Sequence, residues 1–149
     1  GKSINSNDAR YGNGRCSDFQ LFKNTNSIIK TVELDLINIM SKAVKSDIFI
    51  IDSFVNIYGP GSGSIPHGHI RQFDTNNGLV NQKYSLTYYL SAGDQNCDDP
   101  GILKLYDPDD EILPSDGTLV ILPATRKHSA VYGGQADRVM IGVNFYSLT

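Results

Sequence analysis

The chain has three histidines, and two of them stand as His67-Gly68-His69. Neutral imidazole is a common ligand for divalent transition metals, so a close pair of this kind is a candidate metal site. On an extended strand, residues two apart point to one face, which would let both rings reach a single ion without backbone distortion. The third histidine, His128, follows the apolar run Val120-Ile121-Leu122-Pro123 and lies 59 positions beyond His69. A lone histidine is more often a satisfied surface or core residue. The weight of the metal reading rests on the pair together with His128, and Asp74, five positions past His69, offers a carboxylate nearby.

Positioning these residues requires a scaffold that joins distant strands at one mouth. From Ser27 to Val44 the apolar residues Ile29, Val32, Leu36, Ile39, Met40 and Ala43 recur at three- and four-residue steps, as on one face of a helix. After Lys45 the pattern changes to β-branched and aromatic runs separated by Gly, Pro, Asn and Asp. Strands are predicted at 48–58, 65–72, 83–91, 102–106, 118–122, 129–132 and 138–146, with no second helix. This pattern predicts a mainly β protein, a jelly roll with one N-terminal helix packed on it, in preference to any α/β fold. The expected organisation is a single domain over 1–149, with an irregular arm at 1–26, a helix at 27–45 and the β core at 46–149.

Composition narrows the function classes. Over 149 residues, 40% are hydrophobic and 19% charged, which suits a folded chain with a sizeable core. The formal net charge is −3 and the basic residues are scattered, so no nucleic-acid footprint is expected. No apolar run approaches the ~20 residues of a membrane-spanning helix, and no basic-then-apolar signal pattern opens the chain, so no membrane role is expected and the predicted compartment is cytoplasmic. Cys16 and Cys97 form no CxxC pair and are expected as free thiols. The acidic segments 93–100 and 107–116 read as turns, since their spacing departs from the order of calcium-loop ligands. The Gly-rich 59–63 lacks the Lys-Ser/Thr of a phosphate loop and also reads as a turn.

A resemblance spans roughly residues 48–147. The blocks Phe54-Val55-Asn56-Ile57-Tyr58, Pro66-His67-Gly68-His69, Ser85-Leu86-Thr87-Tyr88-Tyr89-Leu90, Gly101-Ile102-Leu103-Lys104-Leu105 and Gly117-Thr118-Leu119-Val120-Ile121-Leu122-Pro123, followed by His128 and Arg138, resemble the 2-oxoglutarate-Fe(II) oxygenase family. More distantly they resemble the prolyl hydroxylases. The resemblance implies a double-stranded β-helix, Fe(II) and 2-oxoglutarate as cofactors, and oxidative hydroxylation of a small-molecule or peptide substrate. It implies that His67 and His128 bind the metal. Arg138, ten positions after His128, would pair with the distal carboxylate of 2-oxoglutarate, with Tyr89 and Thr87 supplying hydroxyls. No further catalytic side chain is assigned. By strand alternation, Met140, Gly142 and Asn144 share the face of Arg138, while Val139, Ile141, Val143 and Phe145 face the outer layer.

The chain departs from that family at one ligand. Where the family's carboxylate stands two residues after the first histidine, this chain has His69. Either His69 takes the carboxylate's place, or Asp74 folds back as the anionic ligand and one of the close histidines steps away from the ion. A second resemblance, to the cupins, rests on Gly61, His67, His69 and Asp74 and on Gly117, Pro123 and His128. It implies a metal-binding jelly roll that need not turn over 2-oxoglutarate, and it gives Arg138 no part. An all-β domain with open sheet edges also makes a homodimer a reasonable expectation.

Overall fold

The computed structural model describes residues 14–149. The first half of the expected arm therefore lies outside the described residues. Its second half is more ordered than the Asn- and Ser-rich sequence suggests. Strand β1 (Arg15–Cys16) pairs antiparallel with β2 (Ile48–Tyr58), and a single 3-10 turn at Leu21–Lys23 buries Phe22 in the main core.

Helix α1 spans Ser27–Val44 and starts where Asn26 turns its side chain to accept from the N–H groups of Ile28 and Ile29. It ends at Lys45, which takes a left-handed conformation with φ 55°. Leu36 and Met40 are buried, with Ile29, Val32, Ile37 and Val44 packed beside them. Ile39 and Ala43, expected on that face, are exposed instead. The buried stripe follows the 29, 32, 36, 40, 44 steps and rotates Ile39 toward solvent.

The remaining strands are β3 (Ser62–His67), β4 (Lys83–Ser91), β5 (Leu103–Leu105), β6 (Asp110–Ile112), β7 (Leu119–Pro123), β8 (His128–Tyr132) and β9 (Arg138–Ser147). They form a five-stranded sheet ordered β1-β2-β9-β4-β7 and a four-stranded sheet ordered β3-β8-β5-β6, with every strand pair antiparallel. This is a jelly-roll double-stranded β-helix carrying one main helix. β2 and β4 occupy the stretches read from the sequence. The strand expected at 65–72 lies earlier, because Ser62, Gly63 and Ser64 pair with Tyr132, Val131 and Ala130, and the chain leaves the sheet at His67. A second, short helix follows, α2 (Gln72–Asn76), where none was expected. β6 was also unforeseen: its charged, three-residue edge carries no hydrophobic alternation.

β9 is the central strand that sorts the two layers. Ile141, Val143 and Phe145 join Leu86, Leu36 and Met40 in the core beneath α1. Arg138, Met140, Gly142 and Asn144 line a cavity on the opposite side, together with residues of β2, β4, β3 and β8. Alternation along one strand thus separates a dry packing face from a polar one. A smaller cluster, Tyr58, Tyr89, Tyr132 and Met140, closes one part of the inner space. Among the described residues, no helix is long and apolar enough to cross a membrane.

Candidate metal centre

His67 ends β3 and His128 opens β8, and the two face each other as paired positions after a bulge between Ser64 and His67. His69 has left the strand, so strand alternation does not aim it. Its main-chain N–H instead donates to Ala124 O at 2.7 Å, which draws the turn against the β7–β8 connection. Gly68 permits this approach, since a Cβ there would lie 3.0 Å from Ala124 O. The result is a cluster in which each ring offers one nitrogen and these nitrogens lie within 4.8 Å of one another.

His69 Nε2 and His128 Nε2 are 3.2 Å apart. Two nitrogens each about 2.0–2.1 Å from one ion, at an angle near 90–110°, would be separated by about 2.8–3.4 Å. His67 Nδ1 sits 2.7 Å from Ile65 O, and His128 Nδ1 sits 2.9 Å from Arg126 O. A ring held at Nδ1 by a carbonyl presents an unprotonated Nε2, the form a metal requires. Three neutral nitrogen donors with no carboxylate among them fit a divalent transition ion and leave its full charge for other ligands.

Burial keeps the His69 and His128 rings neutral. Burial first, then the neighbouring His128 and His67, push the His69 imidazole down from 6.5 to about 3. His128 is also lowered, chiefly by burial. For groups depressed in the folded state, protons bind the unfolded chain more readily. Stability is then complete above 6.5 and is lost as the pH falls toward 3. Metal-free protein is expected to lose about 1–3 kcal/mol of stability between pH 7 and pH 4 from this cluster. Urea unfolding across that range checks it. A profile equally steep in His69→Gln would assign the acid sensitivity elsewhere.

Asp74 does not join the histidines. It lies in α2, 1% exposed, and accepts from Lys83 Nζ at 2.7 Å, from the Arg71 N–H at 2.7 Å and from the Tyr146 hydroxyl. Burial raises its carboxyl, but these hydrogen bonds outweigh burial and hold it below its usual range. The same contact and burial push Tyr146 up to about 12. A buried carboxylate with three donors has found its partners, and the reading of Asp74 as a metal ligand is corrected accordingly. Lys83, itself 2% exposed, makes Asp74 necessary. Asp74→Asn is expected to cost about 1.5–3 kcal/mol in urea unfolding while leaving metal content unchanged. Loss of metal at unaltered stability would restore Asp74 to the ligand set.

Arg138, Tyr89 and Thr87 line the same cavity as the three histidines. Arg138 is 1% exposed and its guanidinium lies 4.8 Å from the Tyr132 ring centre and 5.4 Å from that of Tyr89. Nε donates to Ala92 O at 2.9 Å, and the two terminal nitrogens donate to Gly101 O and Pro100 O at 2.8 Å each. Gly101, at φ +81°, leaves the space in which the guanidinium lies. Three of the five N–H groups therefore bind the 92–101 segment, and no partner is seen for the other two among the described residues. Burial raises the Tyr89 hydroxyl, so that group remains protonated. The sequence reading put Asn144 on the ligand-pocket face and named no role for Asn56; both line this cavity and hold enclosed side-chain oxygens without a hydrogen-bond partner. For Asn144 the signal was the strand alternation that placed it beside Arg138.

A second space, lined also by Phe19, Gly68, Ile70 and Arg71, shares Phe54, His67, His69 and Asn144 with the first. The histidines thus stand where two cavities meet, one leading to Arg138 and the other toward the arm and α2.

No protein-family model matches the chain, and no curated protein matches it. Solved structures do. A prolyl hydroxylase from Trichoplax adhaerens, in complex with a peptide fragment of the hypoxia inducible factor oxygen degradation domain, is similar with TM-score 0.69 at 17% identity. That match covers 93% of this chain but 64% of the other, so the chain spans less than two thirds of that enzyme. HygX from Streptomyces hygroscopicus, with nickel and 2-oxoglutarate bound, is similar with TM-score 0.69 at 10% identity, covering 97% of this chain and 74% of that one. A protein of Thermotoga maritima described as a predicted oxalate decarboxylase is similar with TM-score 0.54 at 13% identity, covering 98% and 91%. These likenesses establish the jelly-roll fold.

Proposed function

We propose that this chain is an Fe(II)- and 2-oxoglutarate-dependent oxygenase acting on a small-molecule or peptide substrate, with His67, His69 and His128 as the metal ligands. The observation that carries this reading is one cavity holding three convergent histidines and a buried arginine with two N–H groups for which no partner is seen among the described residues. Bound Fe(II) and 2-oxoglutarate would together supply the oxidising chemistry, the protein providing coordination, orientation and exclusion of water. His67 and His128 keep Nε2 free through their carbonyl contacts. Arg138 offers a carboxylate two charge-assisted hydrogen bonds, and the protonated Tyr89 hydroxyl and Thr87 lie on the same wall. The second space that His67 and His69 line is the approach for the prime substrate.

The volume sets one requirement. The cavity is about 70 Å³, smaller than the ~150 Å³ that takes a benzene ring, so a five-carbon dicarboxylate enters only if lining side chains draw back. The wholly neutral ligand set favours a second reading, a cupin-like metal-binding jelly roll without 2-oxoglutarate turnover. An aerobic assay of the Fe(II)-loaded protein separates the two. Succinate formed from 2-oxoglutarate above a metal-only control supports the oxygenase. Metal binding without succinate, and without 2-oxoglutarate binding, supports the second reading.

A further inference from the structure

Two of the three candidate ligands are oriented by main-chain carbonyls, Ile65 O for His67 and Arg126 O for His128. For His69, whose Nε2 faces His128, no such carbonyl is seen among the described residues. Asn144, on β9 and 5% exposed, lines both cavities that meet at His67 and His69. Its Nδ2 donates to Asp52 Oδ2 at 3.3 Å, and Asp52 in turn accepts from Arg71 at 2.9 Å. That anchor turns the amide in one sense, with Oδ1 directed away from Asp52. Oδ1 is enclosed and has no well-aligned donor, which is costly for a buried acceptor. His69 lines the same two spaces, which places its ring among the groups that Oδ1 can meet.

We propose that Asn144 is the positioning residue of the metal centre: its Oδ1 takes the Nδ1–H of His69, fixes the ring and tautomer, and leaves Nε2 facing His128 and the ion. The chain Arg71–Asp52–Asn144–His69 then does for the third ligand what main-chain carbonyls do for the other two. It also explains how a histidine that has left its strand keeps a defined ring orientation. Groups that hold a metal-bound histidine in this way tune affinity without touching the ion.

The proposal rests on the three histidines being metal ligands, and its test separates the two ideas. In long-range ¹H–¹⁵N spectra of the metal-free chain, His69 should be the Nδ1–H tautomer, becoming mixed in Asn144→Leu and remaining Nδ1–H when Asn144→Asp is made together with Asp52→Asn, which keeps an acceptor for the ring and a donor between the two positions. In competition titrations with Co(II), Asn144→Leu should bind about 10–100-fold more weakly, and the paired aspartate variant, Asn144→Asp with Asp52→Asn, should stay within about threefold of wild type. Asn144→Ser, too short to reach the ring, should follow Asn144→Leu and serves if the leucine variant does not fold. An unchanged His69 tautomer, or an equal loss of affinity in the aspartate and leucine variants, overturns the proposal. Failure of wild type to bind Co(II) refutes the metal reading, while the tautomer comparison still decides the role of Asn144.

Discussion

His128→Ala is expected to bind divalent metal at least a hundredfold more weakly than wild type, and to lose the roughly one ion per chain expected of a three-histidine site. His128 Nε2 is the nitrogen that His69 Nε2 faces at 3.2 Å, and His67 is its paired position across β3 and β8. Removing it leaves two ligands on one side of the ion. With no carboxylate in the cluster, no anionic donor makes up the loss. Metal analysis after purification in excess Fe(II) or Co(II), with Asp74→Asn as the control, gives the answer. Equal metal content in wild type and His128→Ala would place the ion elsewhere and reject the centre.

His128 was legible in the sequence because it follows a strong apolar strand, and the jelly roll returns that strand beside His67. The helix at Ser27–Val44 and the long strands β2, β4 and β9 were legible for the same reason: their patterns extend over nine or more residues. The short strands β5, β7 and β8 were legible too, but two other short elements were not. β6 has three residues, and α2 has five in which only Asp74 is buried. Asp74 itself illustrates the limit. A carboxylate five positions past a histidine pair looks like a ligand, and nothing in the local sequence shows that Lys83 will be buried opposite it. The partner that decides the role is brought by the fold, not by spacing. His69 shows the converse, a correct neighbour for a wrong reason: the alternation of a strand predicted its direction, whereas the hydrogen bond to Ala124 and the turn at Gly68 provide it.

Arg138→Ala is expected to have two separable consequences, a loss of about 3–5 kcal/mol in stability and abolition of 2-oxoglutarate binding. The first follows from the three carbonyls of Ala92, Pro100 and Gly101 that the guanidinium satisfies at 2.8–2.9 Å in a site 1% exposed. Truncation leaves them enclosed and unpaired, and removes the cation that lies over the Tyr132 and Tyr89 rings. Lysine restores the charge but not the planar fork. Arg138→Lys should therefore recover part of the stability, while its 2-oxoglutarate affinity stays at least a hundredfold below wild type, since a point charge cannot make two parallel bonds to one carboxylate. Urea unfolding reads the structural arm, and calorimetry on metal-loaded protein reads the ligand arm. If stability falls as expected but wild type takes up no 2-oxoglutarate at millimolar concentration, Arg138 is a brace for the 92–101 segment alone. The oxygenase reading then fails, and the cupin-like metal site is the better account of the three histidines.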